Sequence, residues 1–571
     1  MTNKRWIFLN KSADQEKSKA LSSSLNVPPV ISNILLNRNI NTFEEASAFL
    51  FKSAKNVHHP FLLKDSEKAA NRIKDAVLSG EKIVIYGDYD VDGITSTSIM
   101  YLFLKSLGAN VDFYIPNRSD EGYGINMLAL QKISNAGAKL LITVDCGITA
   151  TGEVEFAKTL GLTVIITDHH TCKETVPDAF AVINPKQNDC NYPFKDLAGV
   201  GVAFKLILAT AITMGLPAKE YFDKYIDIVC IGTIADVVSL CDENRIFVTN
   251  GLKKIKETQN FGLKALFEIA GIEGKTINTG LVSFMIAPRI NAAGRVGNAS
   301  SAVELLVTED KEKAVRIARA LEEENHSRQQ TEQEILLEAL KMIEEDSSFK
   351  EKKVIVLSKE DWHHGVIGVV ASRLVDKFYK PSILISIKDG LGKGSGRSVK
   401  GFNLFDALAD SGDILLKYGG HELAAGLGLN AGDIEEFSKK INEYAKANVS
   451  DESLVPQINI DQVLETGDLT VHNAETLSML EPFGMGNPQP VFAVLNLSLI
   501  SQRIVGDGRH VRLTLSKNGK NIDVMGFNMA KTAEAFVVGS KLDIAFTMGT
   551  NIYRGEKTLQ LVLKDIRPSI K

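Results

Sequence analysis

The sequence predicts a multidomain α/β protein: a parallel-sheet domain, a long connector helix, a second α/β unit and a small C-terminal β domain. Three observations carry that expectation. Between residues 83 and 168, short apolar runs alternate with helix-length segments, the pattern of βαβ units and a parallel sheet. Residues 301–347 place apolar residues at helical spacing around a polar middle. Beyond Pro456, about five segments alternate apolar and polar residues between glycine-bearing turns. With 571 residues, 44% of them apolar, the chain can hold three or four domains with sizeable cores.

Residues 1–75 read as a helical leader, with short helices near 29–37 and 43–51. The parallel-sheet domain follows at 76–300. Its first strand, Ile83-Val84-Ile85, runs into YGDYDVDG, where Asp88, Asp90 and Asp92 alternate. A strand has period two, so alternating carboxylates at its carboxyl end point several of them to one face. Clustered carboxylates repel one another unless a cation compensates. Gly93 frees the turn, and Thr95-Ser96-Thr97 can cap a helix at 94–107.

The pattern recurs. Residues 140–144 are apolar and end in Asp145; residues 164–167 end in Asp168-His169-His170. Helices are expected between the strands at 126–137 and 151–160, and later at 200–214 and 221–234. In such sheets, sites form outside the carboxyl ends of the strands, so the acidic endings converge on one edge. Asp236, after the apolar segment 226–235, is a fourth candidate. Aspartates with two adjacent histidines make an oxygen-and-imidazole ligand set. It suits manganese or magnesium, with zinc or iron as alternatives, and does not suit a thiolate-bound metal. A lone Asp at a helix start is a cap, and a lone His pair such as His58-His59 implies no site. The conjunction of four acidic endings with His169-His170 is what points to a metal centre.

Residues 301–347 are expected to form one long connector helix. Its middle, EEENHSRQQTEQE, is polar all round, which suits a solvent-exposed span. A second α/β unit follows at 348–450, with strands at 354–357 and 382–387 and the glycine-rich stretch GLGKGSGRS. The polar linker KANVSDESLVP leads to a β domain at 456–571, with strands near 491–500, 509–516, 521–527, 541–548 and 558–564. Five strands in a unit of this size suggest an OB-fold, a common platform for single-stranded nucleic acid; a β-sandwich accessory domain is the alternative. Net charge is −5, yet residues 501–571 hold 12 Lys/Arg against 6 Asp/Glu, so an acidic body carries a basic tail domain.

Several groups could grip an anion. Arg118 follows the strand at 111–115 on the acidic edge. Arg289 and Arg295 flank Asn291 in PRINAAGR. Ser395 and Arg397 lie among glycines, where backbone amides can approach an anion, and His421 follows a glycine pair. Arginine matches phosphate in a forked geometry. Turn glycines with surface arginines are the plainer reading.

Together these residues resemble the DHH phosphoesterase superfamily, with Asp88, Asp90 and Asp92 as its first motif, Asp145 its second, Asp168-His169-His170 its third and Asp236 its fourth. Within it, the chain is similar to the single-strand-specific 5′-to-3′ DNA exonucleases. PRINAAGR, HHGVIGVVASRL, GSGRS, YGGHELAAG and PFGMGNPQPVF extend the likeness across nearly the whole chain. The resemblance implies a DHH domain, a DHH-associated domain at 348–450 and two divalent ions, manganese or magnesium. Asp90 and Asp92 would be ligands, Asp145 would bridge, and His169 with Asp236 would complete the second site. Asp88, Asp168 and His170 would lie close, as ligands or as phosphate-contacting groups. Arg118, Ser395 and Arg397 would hold a 5′-terminal phosphate, with His421 across the cleft. Some members place a ligating His where this chain has Tyr86, so no ligand is carried there. The implied activity is release of 5′-mononucleotides from single-stranded DNA in repair and recombination, with a helicase and a single-strand-binding protein as partners. A phosphodiesterase of short oligonucleotides or cyclic dinucleotides is the alternative, and a DNA-binding scaffold without activity a third.

No apolar run reaches membrane-spanning length, and the N-terminal stretch has no apolar signal core. Five cysteines without a C-x-x-C pair argue against a disulfide framework, and for a reducing cytoplasm.

Overall fold

The computed structural model describes residues 4–9, 15–117, 121, 124–296, 299–553 and 555–569. The chain divides into two compact units. The larger is built on Phe8–Glu322 together with the C-terminal segment from Asn459; the smaller holds Glu323–Ile458 and the first described residues.

In the larger unit, β1 (Ile83–Gly87) leads into α1 (Val91–Ser106), then β2 (Val111–Tyr114), α2 (Met127–Asn135), β3 (Leu140–Val144), α3 (Thr151–Thr159), β4 (Thr163–Thr167) and β5 (Ala181–Ile183). The five strands are all parallel, in the order β2-β1-β3-β4-β5. Both faces are covered: Ile83 and Ile85 enter one apolar core, Val84 and Tyr86 another. That explains why these strands read as unbroken apolar runs. The chain leaves β1 for β2 on one side and returns to β3 on the other. The crevice between β1 and β3 is therefore a topological switch point, where ligands bind in such sheets.

Three further helices close one face: α4 (Gly199–Thr213), α5 (Ala218–Ala235) and α6 (Asp242–Ile255). α7 (Ala287–Val296) and α8 (Ser300–Val307) follow, and α9 runs over Lys311–Glu345. The single helix expected over 301–347 is thus two. Thr308 is extended, and Asp310 starts α9 by accepting the amides of Glu312 and Lys313. The polar middle of α9 also departs from expectation. Asn325, Arg328 and Glu332 are buried. Arg328 pairs with Glu332 at 2.7 Å and donates to Asn325, while Arg373 pairs with the other oxygen of Glu332. Polar residues without an apolar stripe signal exposure only when no partner charge waits on the neighbouring element.

The smaller unit contains β6 (Ile355–Glu360), α10 (His364–Phe378), β7 (Ser382–Lys388), β8 (Leu391–Arg397), β9 (Lys417–Gly420) and β10 (Ala424–Asn430), in sheet order β9-β10-β8-β7-β6. The glycine-rich stretch is therefore a central strand and not an open loop. Gly392, Gly394 and Gly396 alternate along it. A Cβ on each would strike Leu429 and Ile385, Leu427, or Leu404. The glycines make room for neighbours' side chains, and the backbone is paired on both sides.

In the larger unit's C-terminal segment, β11 (Phe492–Val505), β12 (His510–Lys517), β13 (Lys520–Gly526), β14 (Lys541–Tyr553) and β15 (Glu556–Pro568) close into a five-stranded barrel. β11 pairs with both β12 and β14, and β13 with β15. This is the OB architecture. Its core is continued by the leader helices: Leu21, Leu25, Ile31, Ile34, Leu35 and Phe49 join one cluster with Phe492, Leu513 and Phe546. Buried Arg245 on α6 strengthens the junction. It donates to the carbonyls of Phe49, Leu480, Glu481 and Pro482. Among the described residues, no helix is long and apolar enough to cross a membrane, and all five cysteines are free.

Candidate metal centre

The acidic residues gather at the switch point. Asp88 leaves β1, Asp145 leaves β3 and Asp168 leaves β4. The strand of the first motif ends at Gly87, so Asp88, Asp90 and Asp92 do not share a strand face. A helix start brings them together instead. Asp90 is the N-cap of α1 and accepts the Gly93 amide at 3.0 Å; Asp92 lies in the first turn. Capping by Thr95-Ser96-Thr97 is accordingly not observed. Thr95, Thr97 and Ser98 are buried and donate to carbonyls one turn back. Gly93 presses on Asp88: a Cβ there would lie 2.4 Å from the Asp88 carbonyl.

Asp236 arrives from a helix end, as C-cap of α5. α5 can approach α1 because residue 232 is glycine. A Cβ there would lie 2.2 Å from Thr95 Oγ1 and 3.2 Å from Asp92 Oδ1. The start of α1 and the end of α5 are thereby neighbours. His169 Nε2 lies 3.2 Å from Asp145, 3.6 Å from Asp236 and 3.9 Å from Asp92.

Among the described residues, three sets of ligand atoms converge within 4.8 Å: Asp88 with Asp90 and Asp145; Asp92 with His169 and Asp236; and Asp145 with His169 and His170. Asp145 belongs to two sets. Its Oδ1, Asp236 Oδ2 and His169 Nε2 are buried without a hydrogen-bond partner. Electrostatics agree. Burial and neighbouring carboxylates push Asp145 well above the usual range. Burial and Asp90 push Asp92 up to about 7; burial and Asp92 push Asp236 up to about 9. Burial and His170 hold His169 down at about 3, as a neutral imidazole. Carboxylates that cannot ionise together and a neutral imidazole, with lone pairs aimed inward, fit a divalent cation.

Asp168 plays a different part. Its Oδ1 accepts the amides of His169 and His170 and meets His170 Nδ1 at 2.7 Å; its Oδ2 accepts the Ile148 amide. Burial alone would raise its pKa, but the His170 bond keeps it below the ordinary range. It fixes the His170 ring and the backbone at both histidines. Tyr86 points the other way, stacked on Tyr114 with its hydroxyl on the Gly124 carbonyl.

Several groups here had no signal in the motif reading. The amides of Gly199 and Val200, at the start of α4, donate to Asp92 at 2.6 and 2.8 Å. Asn184 holds the His170 carbonyl. The Ala-Gly-Val-Gly string at 198–201 was the visible clue, a glycine pair ahead of an apolar helix.

The anion-gripping candidates divide. Arg118 and the side chain of Arg295 lie outside the described residues. α7 sits against the first motif, because a Cβ on Gly294 would lie 2.6 Å from the Tyr89 carbonyl. Asn291 is half-buried on that helix. Arg289 is engaged by Glu322 at 2.6 Å and by the Met285 carbonyl. In the smaller unit, Ser395 and Arg397 adjoin on one face of β8, 3.3 Å apart, under Gly368 of α10, where a Cβ would lie 2.8 Å from Ser395 Oγ. Their close packing leaves no open glycine loop there, and the backbone amides of this strand are paired with its two neighbours. His421 is exposed at the β9–β10 turn, its amide on the Ala424 carbonyl.

Comparison with known proteins bears on the arrangement as a whole. Residues 82–233 match the DHH family N-terminal domain, 351–447 the DHHA1 domain and 460–565 the RecJ OB domain. The single-stranded-DNA-specific exonuclease RecJ of Bacillus subtilis is 43% identical over 97% of this chain and 70% of its own length. The chain belongs to the RecJ family. Two RecJ structures from Thermus thermophilus superpose on it. The Mn2+ complex has a TM-score of 0.85 at 30% identity, covering 99% of this chain and 80% of that one. The Mg2+ complex has a TM-score of 0.80 at 29% identity, covering 99% and 79%. Those RecJ structures are complexes with Mn2+ and with Mg2+, and the oxygen-and-imidazole donor set found here is of the kind that holds such ions.

Proposed function

We propose that this RecJ-family chain is a metal-dependent exonuclease that degrades single-stranded DNA from its 5′ end and releases 5′-mononucleotides, in DNA repair and recombination. The observation that carries the reading is the set of interlocked ligand groups at the switch point, sharing Asp145. Asp88, Asp90 and Asp145 would hold one cation, and Asp92, His169 and Asp236 a second, with Asp145 between them. Two divalent cations so held supply Lewis acidity and a water acidic enough to ionise near neutrality. The chain's own residues do the rest. Gly199 and Val200 fix the Asp92 carboxylate, and Asp168 aims His170 at the phosphate. By the family resemblance, Arg118, Ser395 and Arg397 would hold the 5′-terminal phosphate, and Arg289, Asn291, Arg295 and His421 would be further substrate-binding residues. The basic barrel grips the strand behind them.

In this reading, the domains are 1–75, 76–300, 301–347, 348–450 and 456–571. The partners are a helicase and a single-strand-binding protein, and the compartment is the cytoplasm, in keeping with free thiols. A phosphodiesterase of cyclic dinucleotides would have no use for the barrel. The test is digestion, with manganese, of a long 5′-phosphorylated strand labelled at either end beside a matched blunt duplex. Early release of the 5′ nucleotide from the single strand alone is expected, and Asp145→Ala should abolish it. Full activity in a folded Asp145→Ala protein would end the proposal.

A further inference from the structure

Asp236 is followed by a strained residue. Val237 has φ +60°, in the left-handed region that β-branched side chains avoid. Such a conformation persists only where the surroundings over-determine it. Val237 is 61% exposed, so its own packing does not supply the constraint. The next residues do. The buried Leu240 donates its amide to the Met485 carbonyl at 2.8 Å. Two glycines of PFGMGNP press on the same segment. A Cβ on Gly484 would lie 2.6 Å from Leu240 Cδ1, and one on Gly486 would lie 2.3 Å from Ser239 Oγ.

The loop is itself rigid. Gly484 and Asn487 exchange backbone bonds at 2.9 and 3.1 Å. Buried Asn487 donates to the carbonyls of Leu480 and Pro482, and its oxygen accepts from Arg38. On the other side, buried Asn244 donates to the carbonyls of Ser239 and Asp196. The segment from Asp196 leads into Gly199 and Val200, which hold Asp92. Asp92 and Asp236 share one ligand group.

We propose that the loop Phe483–Asn487, which leads into the barrel, is a positioning element for Asp236, with Gly486 as its critical residue. The inference rests on Asp236 being a metal ligand. It assigns a use to the PFGMGNPQPVF motif, which lies apart from the chemistry in sequence and beside it in space.

The test compares Gly486→Ala, Asp236→Ala and the double variant Gly486→Ala/Ser239→Gly in the full chain. Bound Mn2+ is counted by electron paramagnetic resonance, kcat is measured on single-stranded DNA, and affinity for an oligothymidylate is measured in chelator. Gly486→Ala should weaken one of the bound ions by about tenfold or more, as expected for loss of a group that orients a ligand. It should lower kcat and leave oligothymidylate affinity unchanged. The double variant, which removes the hydroxyl the new methyl would strike, should recover part of the loss, the remainder reflecting the left-handed φ of +72° at residue 486. Ser239→Val crowds the same contact without a left-handed residue and should reproduce the defect if Gly486→Ala does not fold. Parental Mn2+ binding in Gly486→Ala, or a loss confined to oligothymidylate affinity, would overturn the inference. The Asp236→Ala arm separates the failures. A full ion complement there would sink the ligand reading itself; a lost ion there, with both retained in Gly486→Ala, would sink only the positioning role.

Discussion

Gly199 lacks the Cβ that would lie 2.4 Å from Oδ1 of Asp145 and 2.8 Å from its Cβ. The same residue gives its amide to Asp92. One glycine at the first turn of α4 thus lets two carboxylates converge, one from the end of β3 and one from the first turn of α1.

Replacing it separates stability from chemistry. Gly199→Ala gains up to about 1 kcal/mol of helix propensity. The new methyl meets the stem of Asp145, not only its flexible end, so the carboxylate must move. Manganese affinity should fall by about 10–100-fold while the melting temperature of the metal-free protein holds or rises. Calorimetric titration with Mn2+ checks the first and thermal denaturation the second.

The raised carboxyls make a pH prediction. Asp92 is pushed up to about 7, Asp236 to about 9 and Asp145 well above its usual range. Between about pH 4 and those values, the folded chain binds more protons than the unfolded one. Stability of the metal-free fold therefore falls as pH rises through that window. A cation needs the ionised forms, so its affinity rises over the same range. The increase in melting temperature on adding Mn2+ should be larger at about pH 8.5 than at about pH 6; equal increases would contradict the assignment.

The buried pair on α9 should be sensitive to half-removal. Glu332→Leu strands Arg328 with a lone charge in the interior and takes a partner from Arg373. The expected cost is about 3–5 kcal/mol, more than that of replacing Arg328 and Glu332 together by apolar residues. Hydrogen exchange along α9 and α10 reads the difference. Unchanged protection in Glu332→Leu would show that water reaches the pair.

What the sequence revealed follows from what is local. Strands buried on both faces are unbroken apolar runs, so Ile83–Gly87, Leu140–Val144 and Thr163–Thr167 were readable, and their acidic endings with them. The barrel strands were readable from alternation. Three features were misread, two of them for long-range reasons. Asp92 shares a site with Asp88 because a helix begins at Asp90, not because a strand continues. The polar middle of α9 is buried because Arg373, over forty residues on, supplies a charge. The run GLGKGSGR is a central strand because Leu427 and Leu429 across the ladder fill the space its missing side chains leave. The amides of Gly199 and Val200 hold Asp92 through backbone atoms, which the glycine pair at 199 and 201 marks only faintly in the sequence.

The leader helices contribute Leu21, Ile34 and Phe49 to the same core as Phe492 and Phe546. Ribosomes deliver a chain from its N-terminus, so these apolar faces emerge before the barrel and meet their partners on the order of 400 residues later. At about 5–20 residues per second, that interval is roughly 20–80 seconds. The leader helices are therefore held uncovered until the barrel is made, a vectorial delay that spans synthesis of the domains between them.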